Sequence, residues 1–191
     1  MLTVFYKQSA TFFLLSLICI LTLASCAGRN AETRQQVDDS RPYEQFVEAL
    51  RSDTNSTVIT LERTACFGAC PIYFIAIHAN GRVVYRGHEY VKIKGLMYDQ
   101  ISADTIKHLL KEFITAGYFS LAEKYESKKD TLANGEIVET NVTDLPTTIT
   151  SVKFAGQFKM VQNYFGAPAW LRIFENKIDE VAKSARWIKN E

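Results

Sequence analysis

The chain carries no excess of charge of either sign, few prolines and glycines, and no apolar run long enough to span a bilayer. Lys and Arg number 22 against 21 Asp and Glu in 191 residues. That balance excludes a strongly basic nucleic-acid binder and an acidic tail protein. Four Pro and nine Gly exclude a low-complexity or collagen-like chain. A Gly-x-Ser-x-Gly elbow, a His-Glu-x-x-His pair and a Walker loop are all missing, so no familiar nucleophile, zinc or nucleotide motif points to a reaction. What is there is 47% apolar and 12% aromatic, which is incompatible with global disorder. The length fits one domain.

Residues 1–25 hold one charge, Lys7, and no acid. The apolar stretch Thr11 to Ala24 makes about 21 Å of helix, short of the roughly 30 Å of a hydrocarbon core. It fits the h-region of a secretory signal. Leu23-Ala24-Ser25-Cys26 follows and resembles the lipobox of bacterial lipoproteins. That resemblance implies a diacylglyceryl group on Cys26, which becomes the new N-terminus and carries palmitate-type chains into a membrane. Each buried CH₂ contributes about 0.8 kcal/mol, so two or three chains anchor durably. Ala27 resembles an outer-membrane sorting signal, and the expected location is the cell envelope, outer membrane facing the periplasm. Removing residues 1–25 leaves 21 charges of each sign, so no nucleic-acid partner is expected.

The expected organisation is a signal peptide at 1–25, a lipidated Cys26 and flexible tether at 26–41, and one globular domain at 42–191. Tyr43, Phe46, Val47 and Leu50 have helical spacing. Thr57–Arg63, Pro71–His78 and Arg82–Lys92 read as strands. Asn80-Gly81 predicts a two-residue type I′ turn, which would set His78 opposite Val83, Ala76 opposite Tyr85 and Tyr73 opposite His88. Ser102 caps a helix with the stripe Ile106, Leu109, Leu110, Phe113 and Ile114, stapled by Ile101 and ended by Gly117. Glu126 to Leu145 is a long polar loop with a short strand at Ile137–Val142. Thr148–Phe154 and Gln157–Asn163 flank Ala155-Gly156 as a second hairpin. A last helix opens at Gly166-Ala167-Pro168 with the stripe Leu171, Phe174, Ile178, Val181 and Ala185. The fold class is α+β: an antiparallel sheet of about five strands with helices packed on one face.

Cys66-Phe67-Gly68-Ala69-Cys70-Pro71 is the unusual cluster. Cys19 leaves with the signal and Cys26 is committed to lipid, so Cys66 and Cys70 are an even pair in an exported chain, which favours a disulfide. A second reading is thiol or copper chemistry, because Cys-x-x-x-Cys-Pro is also the spacing of Sco-type copper chaperones and thiolates suit Cu(I). The predicted register brings His88, not His78, back to the cysteine end as third ligand. The family of that chaperone places a helix after the motif, whereas here a strand and hairpin follow. His108 falls on the polar side of its helix and takes no role. A small-ligand or hydrolase site under the 126–146 loop is a third option.

Leu61-x-Arg63, Cys66-x-Gly68-x-Cys70-Pro71-x-Tyr73 and Asn80-Gly81-x-Val83-x-Tyr85-x-Gly87 together resemble the domain-of-unknown-function family numbered six-four-three-eight. Thr143-Asp144-x-Pro146, Ile178-Asp179 and Trp187 fit the same pattern over about residues 57–188. The resemblance implies an exported, often lipid-anchored domain and brings no activity with it. The expected function is therefore a membrane-anchored envelope module that binds another envelope protein or a small ligand, with no catalytic residue and no cofactor assigned. Arg63 and Asp144 are the polar residues marked as candidates.

Overall fold

A computed structural model describes residues 40–53 and 56–189. The expected signal segment, Cys26 and most of the tether lie outside the described residues. The first helix among the described residues, α1 (Tyr43–Ser52), buries Tyr43, Phe46, Val47 and Leu50, the four residues whose spacing predicts it. Strands β1 (Thr57–Arg63), β2 (Ile72–His78), β3 (Arg82–Glu89) and β4 (Gly95–Gln100) follow. Next come α2 (Ala103–Thr115), a 3₁₀ turn at Tyr118–Ser120 and the two-residue β5 (Lys124–Tyr125). A ribbon of β6 (Lys128–Thr131) and β7 (Ile137–Thr140), the hairpin of β8 (Thr148–Phe154) and β9 (Gln157–Asn163), and the helices α3 (Ala169–Val181) and α4 (Ala185–Ile188) complete the described residues.

The fold is α+β, and the main sheet has seven strands in the order β4-β3-β2-β1-β8-β9-β5 rather than about five. Every neighbouring pair is antiparallel except β5 with β9. The two extra strands are β4, which the sequence reading passes over after β3, and β5, too short to carry a period. The long polar loop folds into the separate ribbon, so a strand does stand at 137–140.

Helices cover both faces, not one. Ile59, Leu61, Tyr73, Ile75, Ile77, Val83, Tyr85, Val152 and Val161 form a core with Ile106, Leu109, Phe113, Leu171, Ile178 and Trp187 from α2, α3 and α4. The alternate residues Phe74, Ala76 and Val84 are equally buried. They lie on the side of α1, where the Arg86 guanidinium sits 4.5 Å from the Phe46 ring and Arg51 pairs with Glu62. The reason is written in β2 itself: Ile72 to Ile77 is a continuous apolar run, and such a strand is covered on both sides.

The register of the β2–β3 hairpin also differs by one. Ile77 faces Val83, Ile75 faces Tyr85 and Tyr73 faces Gly87. A type I′ turn needs positive φ at both central residues. Asn80 does not adopt it, whereas Gly81 does at φ 89. The loop is the three-residue kind, Ala79-Asn80-Gly81, closed by the Gly81 N–H to His78 carbonyl bond of 2.9 Å. The turn with two positive φ values is Ala155-Gly156, at 48 and 80, between β8 and β9.

The signals at the ends of α2 behave as read, whereas Ile114 of the expected stripe is exposed and only Ile106, Leu109, Leu110 and Phe113 are buried. Ser102 Oγ accepts the Thr105 N–H at 3.1 Å, Ile101 and Ile106 are buried together, and Gly117 stands at φ 81. The final helix is two. Lys183 at φ 52 breaks it between α3 and α4, so its apolar stripe does not run unbroken to Ala185.

Candidate functional site

One end of the sheet gathers charge. Along β1 the core-facing alternation Ile59, Leu61 continues to Arg63, and Arg63 pairs in register with Tyr73 on β2 and Thr148 on β8, next to Asn163 on β9. The helix α3 lies over these strand ends and brings Glu175, Asn176 and Asp179. Arg63 Nη1 donates to Thr148 Oγ1 at 2.9 Å. Its Nη2 donates to Asp179 Oδ2 at 2.9 Å and Asn176 Oδ1 at 3.0 Å. Asp179 Oδ1 also accepts the Tyr73 hydroxyl at 2.8 Å and the Ser184 hydroxyl at 2.7 Å. Burial, then the negative charge of Asp179, pushes the Tyr73 hydroxyl far above its usual range, so it stays a donor.

Glu175 is 1% exposed. Its Oε1 accepts the Asn163 amide at 2.7 Å and its Oε2 lies 3.8 Å from Arg63 Nη1. Burial raises its carboxyl above the ordinary 4.5, while the Asn163 hydrogen bond and the Arg63 and Arg172 charges pull it back and Asp179 adds to the rise. A carboxyl raised by folding contributes stability that is complete below about pH 4.5 and is lost as pH rises through its folded value. Glu175→Gln cannot titrate. The melting temperature of Glu175→Gln minus that of the natural protein is therefore expected to rise between about pH 4.5 and 7; a flat difference would show that burial does not raise Glu175.

Directly after Arg63 the chain leaves the sheet in the loop carrying the two cysteines. Cys66 and Cys70 are disulfide-bonded with Cα atoms 5.7 Å apart. On the chain-entropy account, closing so short a ring stabilises by about 2 kcal/mol. The loop is pinned to the segment before β8. Thr64 N–H meets the Thr147 carbonyl at 3.1 Å, Thr147 N–H meets Thr64 Oγ1 at 3.0 Å, and Phe67 N–H meets the Asp144 carbonyl at 3.4 Å. Asp144, at φ 71, thus takes part through its backbone, and its side chain accepts from Thr143 at 3.0 Å. Phe67 stands at the ring's tip, 87% exposed.

Arg63 and the cysteine loop are therefore neighbours, and Asp144 joins them. His88 does not, as far as the described contacts go. The one-residue change of register moves its side chain to the other face, where its ring stacks on Tyr43 at 4.6 Å. Among the described residues no three His, Cys, Asp or Glu side chains cluster as metal ligands. His78 is buried beside the hairpin, its Nδ1 3.1 Å from Ser56 Oγ, and burial lowers its pKa.

Sequence reasoning missed Glu175 and Asn163. A usable signal existed: Glu175 lies four residues after Leu171 and three before Ile178, a carboxylate on the buried stripe itself. A hollow of about 210 Å³ lies at the foot of the ribbon, lined by Lys124, Tyr125, Glu126, Thr147, Gln162 and Tyr164. It is smaller than the roughly 300–1,000 Å³ of ordinary small-molecule sites. No described helix is long and apolar enough to cross a membrane.

A family model described as a domain of unknown function (DUF6438) matches residues 57–182. That span takes in Arg63, both cysteines of the ring, Tyr73, Glu175 and Asp179. No curated protein and no solved structure matches the chain.

Proposed function

The chain belongs to the DUF6438 family of domains of unknown function, and from that premise we propose that it is a lipid-anchored envelope module that binds a protein partner through its disulfide loop. The observation that carries this reading is Phe67, a large aromatic displayed at 87% exposure on a covalently closed ring. Interface anchors are typically aromatics that enter a partner's pocket. A ring already fixed by Cys66–Cys70 and by the bonds to Asp144 and Thr147 loses little conformational freedom on binding. The cluster around Arg63 serves as the brace beneath it: its polar groups are hydrogen-bonded among themselves, and Asp179 ties β1, β2 and Ser184, just before α4, together. The anchor rests on the sequence, the lipobox-like segment ending in Cys26.

The test is position-specific photocrosslinking in intact cells. A photoreactive residue at 67 is expected to give an adduct of one discrete mass. The same residue at Ile173, exposed on α3, gives none. Equal adducts at both positions, or none at 67, would remove the loop from the binding surface. Palmitate labelling abolished by Cys26→Ala tests the anchor separately.

Thiol–disulfide exchange is the second reading, favoured by the solvent-facing position of the ring, in which Phe67, Gly68 and Ala69 are exposed. It requires a disulfide that opens in glutathione buffers of envelope poise, whereas a purely structural bridge stays closed.

A further inference from the structure

The two edges of the seven-stranded sheet are treated differently. At one edge β5 is two residues long and carries Lys124, a blunted edge that offers little to pair with. At the other, β4 runs six residues, Gly95 to Gln100, in unbroken register against β3. It contains no Pro and no Lys, and its one charge, Asp99, is held by Arg186 at 2.6 Å. None of Leu96 to Gln100 has a positive φ. Among the described residues no strand lies beyond it. Edges left long and regular are templates for another strand.

The direction of its free groups follows from one bond. Ile101 N–H points at the Gly81 carbonyl across the β3 side, 2.9 Å away. In an antiparallel pair, alternate residues turn their N–H and C=O to the same neighbour. Asp99 and Met97 therefore also face β3, and Leu96, Tyr98 and Gln100 turn theirs outward. Three outward residues centred on Tyr98 make a self-complementary edge. We propose that β4 pairs antiparallel with β4 of a second copy of this chain about a two-fold axis at Tyr98, joining the two sheets.

That register places Tyr98 opposite Tyr98 and Leu96 opposite Gln100, so the outward N–H and C=O of Tyr98, the Leu96 N–H and the Gln100 C=O gain partners, while the Gln100 N–H already meets the Asp99 carboxylate. It is the isologous arrangement that a two-fold interface demands. Met97 falls opposite Asp99, and no charge meets its own kind directly. Tyr98 is 45% exposed with the Arg82 guanidinium 4.8 Å from its ring centroid. The second Tyr98 would continue this cation–aromatic surface across the axis. A slip by one residue would put side chains of one copy on the wrong face of the other, and a slip by two would pair two outward residues instead of three.

The experiment uses the full chain, purified in detergent, with one cysteine introduced at a time, the natural chain as the blank, and the oxidant diamide. Across the axis the two Tyr98 Cα atoms lie about 5.5 Å apart, within the span of a disulfide. Tyr98→Cys is expected to form a covalent dimer. Leu96→Cys alone is expected to form none, because the two copies of residue 96 lie roughly 13 Å apart along the strands. Leu96→Cys mixed with Gln100→Cys is expected to form a heterodimer, which keeps the test open should Tyr98→Cys misfold. Sedimentation equilibrium of Tyr98→Pro, which deletes an outward N–H and leaves the bonds to β3 intact, should give a monomer where the natural chain gives a dimer. A natural chain that sediments as a monomer, or crosslinking as efficient at 96 alone as at 98, would overturn the proposal.

Discussion

Arg63→Ala is expected to destabilise the domain by about 3–5 kcal/mol, the ordinary cost of removing one partner from a buried ion pair. For a chain of this size that corresponds to a fall of roughly 6–20 °C in melting temperature, read by circular dichroism. Three things are lost together. Thr148 and Asn176 lose their donor, Asp179 loses its cation, and Glu175 loses the guanidinium charge 3.8 Å away and keeps only its bond from the Asn163 amide. The last loss is the severe one, because Glu175 is 1% exposed and an unpaired carboxylate there must take up a proton or carry water inward. A double variant separates the causes. Arg63→Ala with Glu175→Gln should regain part of the stability, since the amide still accepts from Asn163 and no longer needs a counter-charge. If the second substitution regains nothing, the role of Arg63 lies with Asp179, Thr148 and Asn176 and not with Glu175. Arg63→Lys should fall between, because an ammonium cannot serve Thr148, Asn176 and Asp179 with the geometry of a planar fork.

The same residues show how far the chain is legible. Helical periodicity placed α1 and α2 correctly, because a 3.6-residue stripe is a local property and Ser102, Ile101 and Gly117 mark the ends chemically. The β8–β9 hairpin was equally plain, with both strands bounded as Thr148–Phe154 and Gln157–Asn163. What failed were quantities set by tertiary context. Asn80-Gly81 is compatible with a two-residue and a three-residue loop, and the choice depends on how β4 docks: Gly81 is held by Ile101, twenty residues on. That single step decided on which face His88 would lie, so its ring stands on Tyr43 and not at the place the copper reading gave it. The strand β4 has six residues with a polar end, half-buried because it is an edge, so neither strict alternation nor a continuous apolar run announces it.

The buried charges were half legible. Arg63 and Asp179 entered through the family signature, together with Tyr73, Tyr85, Gly87 and Trp187, and the structure assembles these residues in one place. Tyr73 packs against Tyr85 at 5.7 Å between ring centroids, and Tyr85 against Trp187 at 4.8 Å. Physics alone could have added Glu175. A charge at a position where the period calls for an apolar residue implies a partner elsewhere on the same face, and Arg63 occupies just such a position on β1. Pairing the two needs the knowledge that α3 lies over the ends of β1 and β8, which no local pattern contains.

Gly87→Ala is the second large effect, and its cause is space rather than backbone torsion. A Cβ on Gly87 would lie 2.1 Å from the Ile93 carbonyl oxygen, 2.7 Å from the Tyr85 hydroxyl and 2.9 Å from Val91 Cγ2. The nearest of these is backbone and cannot swing aside. Segment 91–93 must retreat, and it is tied at both ends of the contact: Tyr85 donates to the Ile93 carbonyl at 3.3 Å, while Ile93 and Lys92 donate to the carbonyls of Trp187 and Ile188 at 2.9 and 3.2 Å. Overpacking costs about 1–3 kcal/mol, and leaving the Tyr85 hydroxyl without its acceptor adds about 1–3 kcal/mol. Urea unfolding should therefore show a loss of roughly 2–6 kcal/mol. Gly156→Ala is the matched comparison. Its φ of 80 is a strain for alanine, yet its Cβ meets nothing within 4 Å, so only the left-handed cost of about 1–2 kcal/mol applies. Should Gly87→Ala prove no worse than Gly156→Ala, segment 91–93 gives way freely, and the link from β3 through Ile93 to Trp187 is not what holds α4 against the sheet.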